Sequence, residues 1–555
     1  MAAIHEEVVT EETPKQAEDL IRRAPGGYLW NQAYNFWTFA TLFLHQIIIT
    51  NNLSLVERGV FEPVKTYALL GVYIAALGLD TAGSVYIPRA LAEGGPARAA
   101  AVALRLILIR ALALCTIAGL IFWGLPALGQ ILSEFPATAD MARAINSPEV
   151  LSHRAPMAFY VVAVGMSTLL ASLLTALLRT RLIFIVGGLA QLLIVVFAWV
   201  FVVTFNDGVD GALNALSVPT ALAGIAYSIA LIRLLGAHLA PLGLKTTWRM
   251  MALGGGAWLT DLASGSLLKS IALTQLLAGL VALTSNEKAV QVAFFGVAYE
   301  MGHAATFLFI NGISGVGLAV MSAAYVNQRL SYLAIAWRTI SKLQVLLGVP
   351  LLIFCVPNAT AIMVRLFGAD YAPAGPLLAL FLGLNALTRL AGGGAHEAAL
   401  YVLGRARWAV FSRWFALGVL FVLDLFLIPL YGVAGCLLAV GIAQMVAEMI
   451  QLTIARARLR RQFPVAFMLR ILLALVPGLI LTAFWRPTSW IGLISAGLIF
   501  ALLFLVMLLL LRPFDAEDDQ LLRNTNRILQ RLFGPFVNGS RTVPDAPLPP
   551  GEAAA

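Results

Sequence analysis

The chain has 555 residues, of which 60% are apolar and only 12% charged, where an average soluble domain carries roughly 25% charged; its mean hydropathy is +0.88. Those figures exclude a water-soluble enzyme. The 37 basic and 28 acidic residues leave a net charge of +9, but the basic ones stand in short segments between apolar runs, so they read as topology determinants and not as a nucleic-acid-binding face.

Residues 1–27 form a polar, acidic N-terminal tail with Glu6, Glu7, Glu11, Glu12, Glu18 and Asp19, which is no cleavable signal. One bilayer crossing takes about 20 mostly apolar residues, and fourteen runs of about that length follow: 28–50, 66–88, 101–124, 156–177, 182–204, 212–234, 254–283, 289–324, 332–357, 373–402, 408–430, 432–454, 464–485 and 489–511. The longest connection, Leu125 to Ala155, is too short to hold a catalytic fold. Its acids, Glu134, Asp140 and Glu149, are too scattered to form a catalytic pair. The even-numbered connections and the tails hold most of the basic residues, among them Arg89, Arg98, Arg179, Arg181, Arg405, Arg407, Arg456, Arg458, Arg460 and Arg461. The odd-numbered ones hold only Arg58, Lys65, Arg143, Arg154, Lys288, Arg365 and Arg486. Short basic loops stay in the cytoplasm, so both termini are expected there.

An internal repeat organises these runs. Glu57-Arg58-Gly59-Val60 is echoed by Glu287-Lys288-Ala289-Val290 at an offset of 230, Arg179-Thr180-Arg181 by Arg405-Ala406-Arg407 at 226, and Gly208-Val209-Asp210-Gly211 by Gly432-Val433-Ala434-Gly435 at 224. Three echoes in one order suggest duplication of a six-span unit. Six crossings return the chain to its starting side, so the copies share orientation and relate by a pseudo-two-fold axis along the membrane normal. The expected fold is therefore an all-α polytopic membrane protein: an N-lobe at 28–235, a C-lobe at 252–455, two extra helices within 463–511, and a cytoplasmic end at 512–555. In that end, Asp515 to Val537 has the spacing of an interfacial amphipathic helix, and the Pro-rich tail beyond is expected to be disordered. Cys115, Cys355 and Cys436 fall inside apolar runs without metal-type spacing, so neither disulfide nor metal centre is expected.

Several stretches resemble the polysaccharide and oligosaccharide flippase branch (O-antigen flippase-like) of the multidrug/oligosaccharidyl-lipid/polysaccharide (MOP) exporter superfamily. They are Leu366-Phe367-Gly368-Ala369-Asp370-Tyr371-Ala372-Pro373-Ala374, Leu427-Ile428-Pro429-Leu430-Tyr431-Gly432-Val433-Ala434-Gly435, and Gly78-Leu79-Asp80 running on to Pro88-Arg89. The resemblance covers about residues 28–455. It implies a fourteen-helix inner-membrane transporter that flips a lipid-linked, undecaprenyl-type oligosaccharide for surface polysaccharide synthesis by alternating access. Its implied partners are the glycan-lipid substrate, membrane lipids and polysaccharide assembly enzymes.

A charge at the bilayer centre costs at least about 2.5–3.5 kcal/mol and should face a cavity or a partner. The candidates among the charges within spans, histidines included, are Asp80, Arg105, Arg110, Asp261, Lys269, Glu300, His303, Arg389, His396, Glu397 and Asp424. In the resembled fold the first, second, seventh and eighth spans line the cleft, which favours Asp80, Asp261, Lys269, Glu300 and His303 as cavity residues. Glu300 and His303, three apart, share a helix face. Lys269 either meets the phosphates of a lipid carrier as a point charge or pairs with Asp261 or Glu300. Arg389, His396 and Glu397 form a second cluster for which a structural role competes, while Arg105 and Arg110 fall in a span peripheral in that fold, where Arg105 can snorkel.

The first span contains no carboxylate, whereas the drug-exporting branch commonly places a cation-binding acid there. That absence weighs against a cation-coupled drug exporter. A lipid II flippase of the same superfamily stays open. A polyprenyl-dependent glycosyltransferase or polymerase lacks the paired carboxylates it would need. No phosphate-cradling Gly-Lys-Ser/Thr loop is present, so no ATP hydrolysis and no cofactor are expected, and coupling to H+ or Na+ would fall to Asp80, Asp261 or Glu300.

Overall fold

The computed structural model describes residues 14–134, 147–236, 243–280, 283–326, 330–515, 518 and 534–537. The amphipathic helix expected over Asp515 to Val537 falls largely outside them, as do residues 1–13 and the tail from Asn538. The helices, in chain order, are α1 (Pro14–Asn52), α2 (Leu55–Ile74), α3 (Leu79–Gly119), α4 (Leu125–Ser133), α5 (Pro148–Leu151), α6 (Arg154–Ala176), α7 (Thr180–Ala198), α8 (Gly208–Leu235), α9 (Leu244–Asp261), α10 (Leu268–Gly279), α11 (Ser285–Val326), α12 (Leu330–Phe367), α13 (Ala374–Leu390), α14 (Ala395–Val402), α15 (Ala406–Tyr431), α16 (Val433–Leu459), α17 (Val465–Phe484) and α18 (Trp490–Leu511). Among the described residues there is no β-strand, only an isolated bridge between Phe514 and Val537.

Among the described residues, ten helical stretches are long and apolar enough to cross a membrane, and a pair bent by 40°, α13 with α14, gives an eleventh. These answer to eleven of the fourteen expected runs. The first, seventh and eighth runs are helical too, as α1, α9 with α10, and α11, but do not pass the same test. α1 and the α9–α10 stretch are where polar residues interrupt the apolar run: Asn35, His45 and Gln46 in one, Asp261 and Lys269 in the other. Large apolar side chains such as Leu112, Leu430, Phe484 and Ile491 are exposed, as suits helices whose solvent is lipid.

The second crossing begins at Leu55, eleven residues before the expected start at 66. Ser54 and Glu57 form a capping box: the Glu57 N–H donates to Ser54 Oγ at 3.2 Å, and the Ser54 N–H donates to Glu57 Oε2 at 2.9 Å. This satisfies two donors at the helix start and puts Arg58, Glu62 and Lys65 on a helix instead of in a connection. α11 opens in the same way. The Thr284 N–H and hydroxyl each donate to Glu287 Oε2 at 2.9 Å, which holds this exposed carboxyl below the usual carboxylate range. The echo of Glu57 by Glu287 is thus a repeated capping box.

Gly59, two residues further on, packs so closely on Ala289 that a Cβ would overlap its carbonyl. The two positions are 230 residues apart, the same offset at which Glu57 is echoed by Glu287. α2 ends at a turn with Leu77 and Gly78 at φ 50° and 68°. There Gly78 meets the Gly254 backbone of α9 so closely that neither position has room for a Cβ.

Contacts divide the chain into two compact units: Met1–Glu300 with Leu366–Gly368 and Arg413–Ala443, and Met301–Arg365 with Ala369–Ser412 and Gln444–Ala555. This cut differs from the expected lobes at 28–235 and 252–455. α9, α10 and the start of α11 join the first unit because α9 packs on α3, and α10 with the π-helical turn before it packs on α2. The first unit has two apolar cores, one around Phe61, Val161 and Leu213, the other around Leu106, Leu170 and Tyr227. The second has one around Phe467, Ile471 and Phe500 and another around Trp337, Ala399 and Ala455.

In the second unit the chain after α18 folds back on α12. Lys342 Nζ donates to Asp518 Oδ2 at 2.6 Å and Asp515 Oδ2 at 2.8 Å, the Thr339 hydroxyl donates to Asp518 Oδ1 at 2.7 Å, and the Phe514 N–H donates to the Phe536 carbonyl at 3.2 Å. Phe514 and Phe536 are buried in the α17–α18 core.

Candidate functional site

Among the described residues the largest assembly of buried charge lies in the first unit, on α2, α10 and α11. Glu62 is wholly enclosed. Its Oε2 accepts from Arg58 Nη1 at 2.7 Å and its Oε1 from Lys269 Nζ at 2.5 Å. Lys269 also donates to Glu300 Oε1 at 2.6 Å, and the same oxygen accepts from Lys65 Nζ at 3.1 Å. Three cations and two carboxylates therefore alternate in one chain with a net charge of +1. Side-chain exposure falls from 28% at Glu300 and 16% at Lys65 to 10% at Lys269 and nothing at Glu62 and Arg58, so the assembly is open at the Glu300 and Lys65 end.

The local backbone explains how these groups converge. Arg58 and Glu62 are four apart on α2 and share a face, and Pro63 beside them leaves the Gly59 carbonyl without its helical donor. Lys269 follows a π-helical turn, Leu262–Leu267, a feature that often marks functional positions because it resets the facing of what comes next. α10 is tied to α2 by the Tyr67 and Thr274 hydroxyls, 2.9 Å apart, and α9 by Trp258 Nε1 donating to the Tyr73 carbonyl at 2.8 Å. The Lys269 ammonium also lies 5.1 Å from the centroid of the Tyr299 ring, a cation–π distance.

The expected site residues fall into separate places. Lys269 and Glu300 come together, whereas Asp261 is exposed at the end of α9 and is not the carboxylate that Lys269 takes. His303 stacks on Phe381, the ring centroids 5.5 Å apart. Asp80 sits in the first turn of α3 with Oδ1 buried and without a hydrogen bond, and the charge acting on it is Arg110. Arg110 is itself buried, donating to the Gly165 carbonyl at 3.0 Å. Arg105 does not simply snorkel, since it donates to Thr247 Oγ1 at 2.8 Å.

Arg389, His396 and Glu397 lie on either side of a break between α13 and α14, where Gly392 and Gly394 take φ 83° and 87°. His396 is fully buried. Its Nδ1 accepts from Trp337 Nε1 at 2.9 Å, so Nε2 carries the proton and donates to the Ala391 carbonyl at 2.6 Å. Both ring nitrogens are satisfied, the arrangement of a core histidine. Arg389 Nη1 donates to the Gly393 carbonyl at 3.3 Å, and Glu397 is half-buried.

Sequence reasoning missed Arg58, Glu62 and Lys65, since it placed that stretch in a connection; Ser54-x-x-Glu57 ahead of an apolar run was the signal available. A cavity of about 210 Å³ also lies within the first unit. Its polar lining, which includes Tyr34, Tyr160, Ser167, Gln191 and Tyr227, is uncharged. Among the described residues no three His, Cys, Asp or Glu side chains are grouped to hold a metal ion.

No protein-family model and no curated protein matches the sequence. Solved structures do match the fold. A lipid II flippase, MurJ, in an inward closed conformation has a TM-score of 0.63 at 13% identity, over 86% of this chain and 97% of that one. A MOP superfamily transporter from Pyrococcus furiosus, described as having a binding pocket of reverse polarity, has 0.56 at 16%, over 79% and 96%. An inward-facing multidrug resistance MATE family transporter of the MOP superfamily has 0.55 at 17%, over 78% and 94%. What this chain has in common with all three is its all-helical, membrane-spanning architecture, the fold of the MOP superfamily transporters.

Proposed function

We propose that the chain is a MOP superfamily transporter that flips a lipid-linked, undecaprenyl-type oligosaccharide across the inner membrane by alternating access, for surface polysaccharide synthesis. The observation that carries this reading is the assembly of Arg58, Glu62, Lys65, Lys269 and Glu300, with its surplus positive charge and its open end at Lys65 and Glu300. Lysine ammonium groups in a site of restricted exposure are suited to the phosphates of a polyprenyl carrier, and the lipid tail would stay in the bilayer. Burying that many charges is expensive, and a membrane protein that keeps them points to a functional use. Both termini would be cytoplasmic, polysaccharide assembly enzymes would supply and receive the cargo, and a gradient of H+ or Na+ would drive it, with Asp80, Asp261 and Glu300 as candidate carriers.

The test is translocation of lipid-linked glycan in reconstituted vesicles or in a deletion strain. Lys269→Ala should abolish it and Asp80→Ala should slow it; wild-type rates in both would refute the site.

A second reading, flipping of lipid II, is supported by the match to MurJ, whose coverage is wider than that of the MATE transporter by about as many residues as α17 and α18 contain. Complementation of a strain lacking its lipid II flippase separates the two. Export of cationic drugs is the weaker alternative, because a cation would meet a net positive assembly.

A further inference from the structure

The two carboxylates of the assembly are not equivalent. Glu62 has no exposed surface and gives one oxygen to Arg58 of its own helix and the other to Lys269. Glu300, 28% exposed, gives a single oxygen, Oε1, to both Lys65 and Lys269. One oxygen between two ammonium groups is the arrangement a phosphate oxygen adopts between two lysines. We propose that Glu300 is an internal stand-in for the anionic group of the cargo: a phosphate or diphosphate displaces it from Lys65 and Lys269, and the exchange is coupled to uptake of one proton by the Glu300 carboxylate. The inference rests on the reading above that the assembly receives a phosphate-bearing head.

Charge balance gives the coupling its direction. With Glu300 ionised the five groups sum to +1, both exposed ammonium groups are engaged, and an arriving phosphate meets a carboxylate of its own sign. With Glu300 protonated they sum to +2, which matches a dianion. The proton arrives from solvent at the open end and departs when the anion leaves; only a carboxyl O–H bond is made and broken. Glu62 cannot play this part, since it is enclosed and its Arg58 partner is fixed four residues away on the same helix. The other titratable or charged groups that act on Glu300 are Lys65, Arg58 and Glu62 of α2, Lys269 of α10, His45 of α1, Tyr160 of α6 and Tyr299 of its own helix. Of the two carboxylates among and around them, Glu300 alone has exposed side-chain surface.

The experiment measures binding of farnesyl diphosphate to the detergent-solubilised full chain at acidic and at mildly alkaline pH, with E300Q beside the wild type so that ionisation of the ligand is common to both. E300Q should bind tightly at both, while the wild type should come closer to it at acidic pH and fall about tenfold further behind at alkaline pH, an ordinary coupling between two ligands. A constant ratio of the two proteins across pH would overturn the exchange. Should E300Q fail to fold, proton uptake by the wild type on adding farnesyl diphosphate at a pH where its affinity falls with rising pH, corrected for the free ligand, should approach one per molecule bound; no such fall and no uptake at any pH tested would overturn it. Inorganic pyrophosphate binding with the same pH ratio would support the exchange and identify the phosphates alone as the recognised group. Weaker pyrophosphate binding with that ratio would support it and add the prenyl tail. If wild type and K269M bind farnesyl diphosphate alike, the phosphate reading falls and the exchange with it. If K269M loses binding while E300Q follows the wild type at both pH values, only the exchange falls.

Discussion

Lys269 in the first unit and Lys342 in the second are each nearly enclosed and each held by two carboxylates, Glu62 and Glu300 for the one, Asp515 and Asp518 for the other. Their settings differ in balance. Lys342 and its two acids have Arg338 nearby, 3.9 Å from Asp515, so charges cancel, and the Thr339 hydroxyl together with the Asp515 N–H completes the hydrogen bonding of Asp518. What Lys342 holds is a piece of chain, the segment that follows α18. Lys269 holds other helices and belongs to a set with one cation too many and one end open. A buried lysine is therefore not informative by itself; the residual charge and the residual exposure of its partners separate a fastening from a binding place.

The largest expected effect is at Lys269. Removing one member of a buried ion pair costs about 3–5 kcal/mol, so Lys269→Met should lower thermal stability and, in whatever fraction still folds, abolish glycan-lipid translocation in vesicles. Lys342→Met should cost a similar stability, release residues 514–518 to proteolysis, and leave translocation per folded molecule within about twofold of wild type; a full loss of transport there would erase the distinction. Gly59→Ala comes next. Its Cβ has no room against the Ala289 carbonyl, and overpacking costs typically about 1–3 kcal/mol, seen as a drop in melting temperature; an unchanged value would mean that α2 and α11 can part without cost. The smallest effects belong to the paired caps. Ser54→Ala and Thr284→Ala should each destabilise by about 1 kcal/mol, and since Ser54 starts the helix that carries three of the charged groups, only its loss should also reduce translocation.

The architecture was legible because lipid imposes long apolar helices: among the described residues the expected runs are largely helical, but the second starts eleven residues early and the tenth is broken at 391–394. The run at 66–88 looked short because Arg58, Glu62 and Lys65 depress local hydropathy, which is also why the best part of the candidate site was overlooked. Charge was read as marking a loop when it marked a partner more than 200 residues away. The spacing of seven between Arg389 and His396 suggested a shared face, but a shared face needs an unbroken helix, and the glycines at 392 and 394 break it. The tautomer of His396 depends on Trp337, 59 residues distant, and no local pattern encodes such a contact. Lys269 and Glu300 were recognisable as intramembrane charges; that Lys269 also takes Glu62 and Glu300 also takes Lys65 was not.

The pairing of Arg58 with Glu62 within one helix has a consequence for how the protein is made. Glu62 precedes Lys269 by 207 residues, roughly ten to forty seconds of translation at about 5–20 residues per second. Throughout that interval α2 has neither Lys269 nor Glu300 available. The arginine one turn before the glutamate travels with it, so the nascent helix reaches the bilayer carrying a neutral pair instead of a bare carboxylate. In this way α2 can enter the membrane early and wait for the later helices whose charges it will organise.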